Sequence, residues 1–155
     1  MLVIITGTPG VGKTTLAKKI VKLGYTRLDL HDHYKEISTR YDRKKQCYDI
    51  DVKKFTALVK KKVKEHEKVV VDSHISHLLP KKMVDLCIIL TCSDLKKLKR
   101  RLVARKYSKK KIEENIQAEI FQVCLEEAKG HNVKVFDVAH KDFTSKINKL
   151  ITKVL

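Results

Sequence analysis

No stretch of this sequence stays apolar for the ~18–20 residues that a membrane span requires. Internal repeats and low-complexity linkers are also missing, and there are only two prolines. Nothing therefore divides the 155 residues into more than one domain, and that length can bury a real core. Leu2-Val3-Ile4-Ile5 has neither the basic region nor the small-residue cleavage site of a signal peptide, and reads as a structural strand. The four cysteines, Cys47, Cys87, Cys92 and Cys124, contain no CxxC pair. Cys87 lies in an apolar run and Cys124 on an apolar helical face, which favours buried thiols over a zinc site or a disulfide framework. A reducing cytoplasm is the location this cysteine usage predicts. Negative charge is scarce: 18 Asp+Glu stand against 35 Lys+Arg, for a net +17. The surplus is heaviest between Lys53 and Lys68 and between Lys96 and Lys111, with runs such as Lys60-Lys61-Lys62. It reads either as a solvated lysine-rich surface or as a surface for a polyanion, nucleotide phosphates first and RNA second.

Strand-like and helix-like segments alternate throughout, predicting an α/β fold with a mostly parallel sheet. Strands are expected at Leu2–Thr6, Tyr25–Leu30, Val69–Asp72, Leu86–Leu90 and Val133–Val138. Helices are expected from Lys13 to Leu23, after Asp51, after Asp94, from Ser108 to Gly130 on one continuous apolar stripe, and from Lys141 to Leu155. After Asp51, Val52, Phe55, Val59 and Val63 recur at helical spacing with lysines outside. The stretch at about 32–50 is less periodic and is expected to form a mobile flap.

Gly7-Thr8-Pro9-Gly10-Val11-Gly12-Lys13-Thr14 fits G-x-x-x-x-G-K-[ST] at every position. Glycines let such a loop curl so that backbone N–H groups converge on phosphate oxygens. The following helix adds its positive end, Lys13 a full charge, and the Thr14 hydroxyl a ligand for Mg²⁺. The loop stands between an apolar strand and a helical pattern, the context that confirms the motif. Asp72 ends the third strand, where P-loop folds place the carboxylate that holds Mg²⁺ through water. His74, two residues on, can reach a terminal phosphate. Arg101 and Arg105 share a helical face, and Arg105 falls where a lid would hinge.

These residues resemble the adenylate kinase isoenzyme 6 family, small P-loop proteins of archaea and eukaryotes that also act in small-ribosomal-subunit maturation. The resemblance covers nearly the whole chain. It rests on Gly7–Thr15, on Asp72-Ser73-His74, which is similar to the family's Asp-x-His motif, and on Arg101-Leu102…Arg105-Lys106-Tyr107 followed by Glu114–Val123. It implies a five-stranded nucleoside-monophosphate-kinase-like fold, with a monophosphate-binding flap at about 32–50 and a lid at about 105–114. It further implies a monomeric Mg²⁺-dependent enzyme converting ATP and AMP into two ADP, with ATPase activity and a small-subunit ribosomal protein or rRNA as partner. Gly10, Gly12, Lys13, Thr14, Thr15 and Arg105 would contact ATP, Lys141 the adenine, and Thr14 and Asp72 the metal. Lys13, Asp72, His74 and Arg105 would be the catalytic set. His31-Asp32-His33 replaces the flap arginine common in the family, leaving Arg40 or Arg43 as substitutes. Two rival readings differ in class: an ATP-hydrolysing assembly factor, and a kinase for another small acceptor.

Overall fold

A computed structural model describes residues 1–43 and 47–154. In chain order the elements are β1 (Leu2–Thr6), α1 (Lys13–Val21), β2 (Thr26–Leu28), α2 (Tyr34–Ile37), β3 (Ser38–Asp42), β4 (Cys47–Ile50), α3 (Val52–Glu65), β5 (Val69–Asp72), β6 (Leu86–Thr91), α4 (Leu95–Ala104), α5 (Lys109–Ile120), α6 (Val123–Glu127), β7 (Val133–Asp137) and α7 (Phe143–Val154). Five strands form one parallel sheet in the order β2-β5-β1-β6-β7. The continuous apolar runs of β1, β5 and β6 follow from their central places, since both faces of these strands are covered.

Alternation along the strands divides the core in two. Val3, Ile5, Val70, Ile88 and Leu90 pack with α1, α4, α5 and α7 through Leu16, Leu98, Ile112 and Ile147. Leu2, Ile4, Val69, Val71, Cys87 and Ile89 pack with α2, α3 and the end of α6 through Ile37, Phe55, Val59 and Ala128. Asp51, Asp94 and Ser108 cap α3, α4 and α5 as their sequence positions predict, each side chain accepting a hydrogen bond from a backbone N–H of the first turn. The two lysine-rich stretches thus lie on helices at opposite faces of the sheet, and do not make one basic face.

Two expectations change. The helix expected from Ser108 to Gly130 is broken at Phe121-Gln122, where Gln122 adopts a left-handed φ of 50°. The reason is topological. α5 packs on one face of the sheet and α6 leads to the other, so the chain turns over the sheet's edge and leaves Ile120 and Phe121 exposed. The supposedly irregular flap has regular structure: a short turn at Leu30–His33, α2, and an antiparallel pair β3–β4 separate from the main sheet. Fully buried Ile37 anchors it. The expected flap spans residues 44–46, which lie outside the described residues, as does Leu155 at the end of the closing helix. Among the described residues no helix is long and apolar enough to cross a membrane.

Candidate active site

β1 sits between β5 and β6, and the chain leaves its carboxyl end directly into the glycine loop. Open parallel sheets bind ligands at such a point, where neighbouring connections diverge to opposite faces. Gly7 has φ 137°, and a Cβ there would come within 2.2 Å of the Leu90 carbonyl oxygen, so only glycine lets the loop start against β6. Gly12 caps α1 at φ 105°, turning the loop into the helix. Arg101, from α4, donates to the Gly10 carbonyl at 3.1 Å and steadies the loop from outside.

Lys13 folds back over the loop, its Nζ donating to the Gly7 and Thr8 carbonyls at 2.6 and 3.0 Å. Burial pushes its pKa down to about 8; nearby Arg105 reinforces this, and the carboxylates of Asp72 and Glu119 oppose it. The Thr14 hydroxyl donates to Asp72 Oδ2 at 2.8 Å. With its proton spent there, the lone pairs of Thr14 Oγ1 remain for a cation. Asp72, 6% exposed, is also gripped by Arg27, whose Nε donates to Oδ1 at 2.6 Å and whose Nη2 donates to Oδ2 at 3.0 Å. This donor set fits Mg²⁺: hard oxygens, few of them, beside a phosphate cradle. Among the described residues no group of three or more His, Cys, Asp or Glu could hold a metal without help, so phosphate and water oxygens would complete the shell.

His74 stands in the same cleft, with part of its ring open to solvent. Lost hydration on its protein side, then the positive charge of Lys13 and, further off, Lys111, push its pKa down to about 4, leaving the ring neutral at pH 7. Buried His77 steadies the segment behind it, lying 2.8 Å from Thr6 Oγ1 and 2.8 Å from Glu127 Oε2.

The cleft measures about 520 Å³. One wall is Gly10, Gly12, Lys13, Thr14, Thr15, Asp72 and His74; the other is Tyr34, Tyr41, Tyr48 and Ile50 of the flap, with Tyr107, Lys111 and Asn115 closing a side. A second cavity of about 500 Å³ continues from the loop, between Arg101 and Arg105 on one side and Val138, Phe143 and Ile147 on the other. Arg105 is exposed and borders both cavities. The structure thus brings together Gly10, Gly12, Lys13, Thr14, Thr15, Asp72, His74 and Arg105. It does not bring Lys141, which borders neither cavity and lies beside Thr144 and Asn148 on the outer side of α7. Nor does Arg40 enter the cleft, since its Nε is paired with Asp49 at 2.7 Å on the outside of the hairpin. His31 and Lys111 border the cleft near the flap.

Arg27 escaped the sequence reading, and Arg101, singled out there for phosphates, instead holds the loop backbone. Arg27 had a usable signal, because a charged residue inside a three-residue strand must have a partner. Strand period places it on the face of Asp72: Arg27 is in register with Val70, two residues before that carboxylate. All four cysteines are free, and burial raises the pKa of Cys87 to about 12.

The family described as AAA domain matches residues 3–122. A Methanocaldococcus jannaschii relative, named for adenylate kinase, is 36% identical over 99% of this chain and 86% of its own. An adenylate kinase isoenzyme 6 homolog of Schizosaccharomyces pombe is 39% identical over 82% of this chain and 73% of its own. Among solved structures, the deoxyadenosine kinase of M. mycoides with bound dATP aligns over 99% of both chains with TM-score 0.63 and 17% identity, a likeness of fold. Glycine loop, strand-end aspartate and full-length sequence likeness agree: the chain belongs to the adenylate kinase isoenzyme 6 family of P-loop proteins.

Proposed function

We propose that this protein is a nucleoside monophosphate kinase of the adenylate kinase type, transferring the terminal phosphoryl group of ATP to AMP to give two ADP. One observation carries the reading: the phosphate cradle and the Thr14–Asp72 pair share a single cleft with an aromatic flap, so donor and acceptor can meet end to end. Phosphoryl transfer asks a protein chiefly for alignment and charge neutralisation. The backbone N–H groups of Gly10 to Thr15 wrap the donor phosphates, and Lys13 exchanges two loop carbonyls for phosphate oxygens. Thr14 and Asp72 would hold Mg²⁺ beside the cradle, and the ion would supply charge neutralisation for the donor phosphates. Arg105, exposed where α4 gives way to the lid at about 105–114, closes over the donor from the second cavity, whose apolar wall of Val138 and Phe143 suits a base. Tyr34 and Tyr48 offer ring faces to the acceptor base. His74, neutral at pH 7, accepts a hydrogen bond from the acceptor or from water.

A coupled assay across the nucleoside monophosphates, with a control lacking acceptor, tests this. AMP is expected to stimulate turnover far above the control. Equal turnover without acceptor, or transfer to a non-nucleotide acceptor and none to AMP, would sink the reading.

The positive surface supports a second reading in the same molecule: ATP hydrolysis coupled to a small-subunit ribosomal protein or rRNA, in a cytoplasmic monomer. Lys53, Lys54, Lys60, Lys61 and Lys64 are exposed on α3 while Phe55 and Val59 are buried, so core packing does not account for these cations. RNA affinity of the wild type should fall steeply with salt. A Lys60/Lys61/Lys62→Glu variant should lose that affinity and keep AMP phosphorylation. Equal RNA binding by both proteins would leave these lysines as solvated surface. A drop in hydrolysis without a matching drop in nucleotide affinity is expected for His74→Ala.

A further inference from the structure

One guanidinium joins the two walls of the cleft. Arg27 holds both oxygens of Asp72 at 2.6 and 3.0 Å, and its remaining amino group, Nη1, reaches Asp29 Oδ2 at 2.9 Å. Asp29 accepts a hydrogen bond from the His31 backbone N–H at 3.1 Å, capping the turn that opens the flap, and lies 3.0 Å from His31 Nδ1. His31 packs on Tyr34 with ring centroids 5.0 Å apart, Tyr34 stacks on Tyr48 at 5.1 Å, and Tyr48 meets Tyr41 edge-on at 4.9 Å. Charge-assisted hydrogen bonds and ring contacts run without a gap from the carboxylate beside Thr14 to the rings of the flap.

Stability alone does not account for such an arrangement. A buried ion pair contributes little more than a well-packed apolar residue of similar size. What an arginine offers and an aliphatic residue does not is a planar fork that fixes two carboxylates in one geometry. We propose that Arg27 is a positioning residue that sets the metal-side carboxylate and the acceptor flap together, so that metal requirement and acceptor affinity depend on one side chain. The inference rests on the kinase reading above for its turnover measurements. Its spectroscopic arm does not.

The test uses three variants of the whole chain: Arg27→Gln, Arg27→Lys and Asp29→Asn. With no tryptophan and three of five tyrosines in the flap cluster, the near-ultraviolet circular dichroism of the free protein reports on the flap. Arg27→Gln should change that tyrosine band. It should also raise both the Mg²⁺ concentration for half-maximal turnover and the KM for AMP, each by about 10-fold or more, as loss of residues that orient metal-site ligands does. ATP binding measured without Mg²⁺ should stay near wild type. Asp29→Asn should change the tyrosine band and the AMP KM and leave the Mg²⁺ requirement alone. Arg27→Lys should restore the Mg²⁺ requirement more fully than the AMP KM, because an ammonium neutralises Asp72 but cannot fork. An Arg27→Gln protein altered on one side only, or an Asp29→Asn protein with wild-type tyrosine band and AMP KM, overturns the proposal. Should Arg27→Gln fail to fold, Asp29→Asn and Arg27→Lys decide it by the same split. A wild type that binds ATP but leaves AMP untouched defeats the kinase reading instead, and the tyrosine band together with Mg²⁺-dependent ATP binding then decides the role of Arg27.

Discussion

The cradle and the flap face each other across one cleft but are held by different means. The cradle is a backbone object. Its shape comes from glycines with positive φ, from the end of β1 and from the first turn of α1, and the central strand beneath it is fully buried. The flap is a side-chain object. Apart from buried Leu30 and Ile37 and the packing of Tyr34 and Ile50 on the core, it is a small hairpin with half-exposed residues, joined to the body through Arg27 and Asp29. A backbone-built site binds what all donors share, the phosphate chain. A side-chain-built wall can change what it receives by a few substitutions without disturbing the fold.

The sharpest break of that contrast is Lys13→Ala. Turnover should fall by about 100-fold or more, as for loss of one preorganised charge-stabilising donor, while the circular dichroism spectrum stays native, because the side chain serves ligand and loop rather than core. Wild-type turnover in a folded Lys13→Ala protein would remove the cradle from the mechanism.

Asp72→Asn should act on both halves. It weakens Mg²⁺-dependent turnover more than Mg²⁺-free ATP binding, and it leaves Arg27 against a neutral partner. Since Asp72 is buried and its side chain is only 2% exposed, thermal denaturation should show a loss of about 3 kcal/mol. A variant as stable as wild type would mean that Arg27 finds other partners easily.

Tyr48→Ala should sharpen the contrast from the other side. Loss of one stacked ring face should raise the AMP KM only a few-fold, roughly what ~1 kcal/mol of aromatic contact supplies, with ATP affinity and stability unchanged. A comparable rise in the ATP KM would show that the flap also serves the donor.

The smallest effect is a proton. In the free protein Lys13 has its pKa lowered from 10.5 to about 8, so between those values the folded form binds fewer protons than the unfolded chain and stability rises with pH. Below about pH 8 the cost of the buried charge is present in full. Phosphate oxygens favour the charged amine, so ATP binding near pH 9 should take up a fraction of a proton, and Lys13→Met should take up none. Calorimetry in buffers of different ionisation enthalpy reads this directly.

That contrast also explains what was legible beforehand. The sheet, the three aspartate and serine caps, the phosphate loop and Asp72 follow from local patterns: continuous apolar strands, a capping residue before an apolar stripe, glycines at fixed spacing. Arg27 and Arg101 act across 45 and 91 residues of sequence, and no local pattern records such a partner. The break at Gln122 has the same origin. The apolar spacing from Ile112 to Val123 continues as if one helix ran on, and only the crossing from one face of the sheet to the other interrupts it. Lys141 lies on the outer side of α7, a placement that its position just after the last strand does not specify.

The register of β1 has a consequence for how the molecule comes into being. Leu2 pairs with Val69 and Val3 with Leu86, so the strand that carries the phosphate loop is made before either neighbour and is paired on both sides only after more than eighty residues have followed. Parallel pairings of this kind are slow because long loops must close before any contact rewards them. Until β5 arrives Leu2–Thr6 is an unpaired, uncharged β-prone segment, the sort that adheres to other chains. A nascent chain halted between β5 and β6 would have one edge of β1 zipped and the other open, leaving a single strand edge for a chaperone to shield.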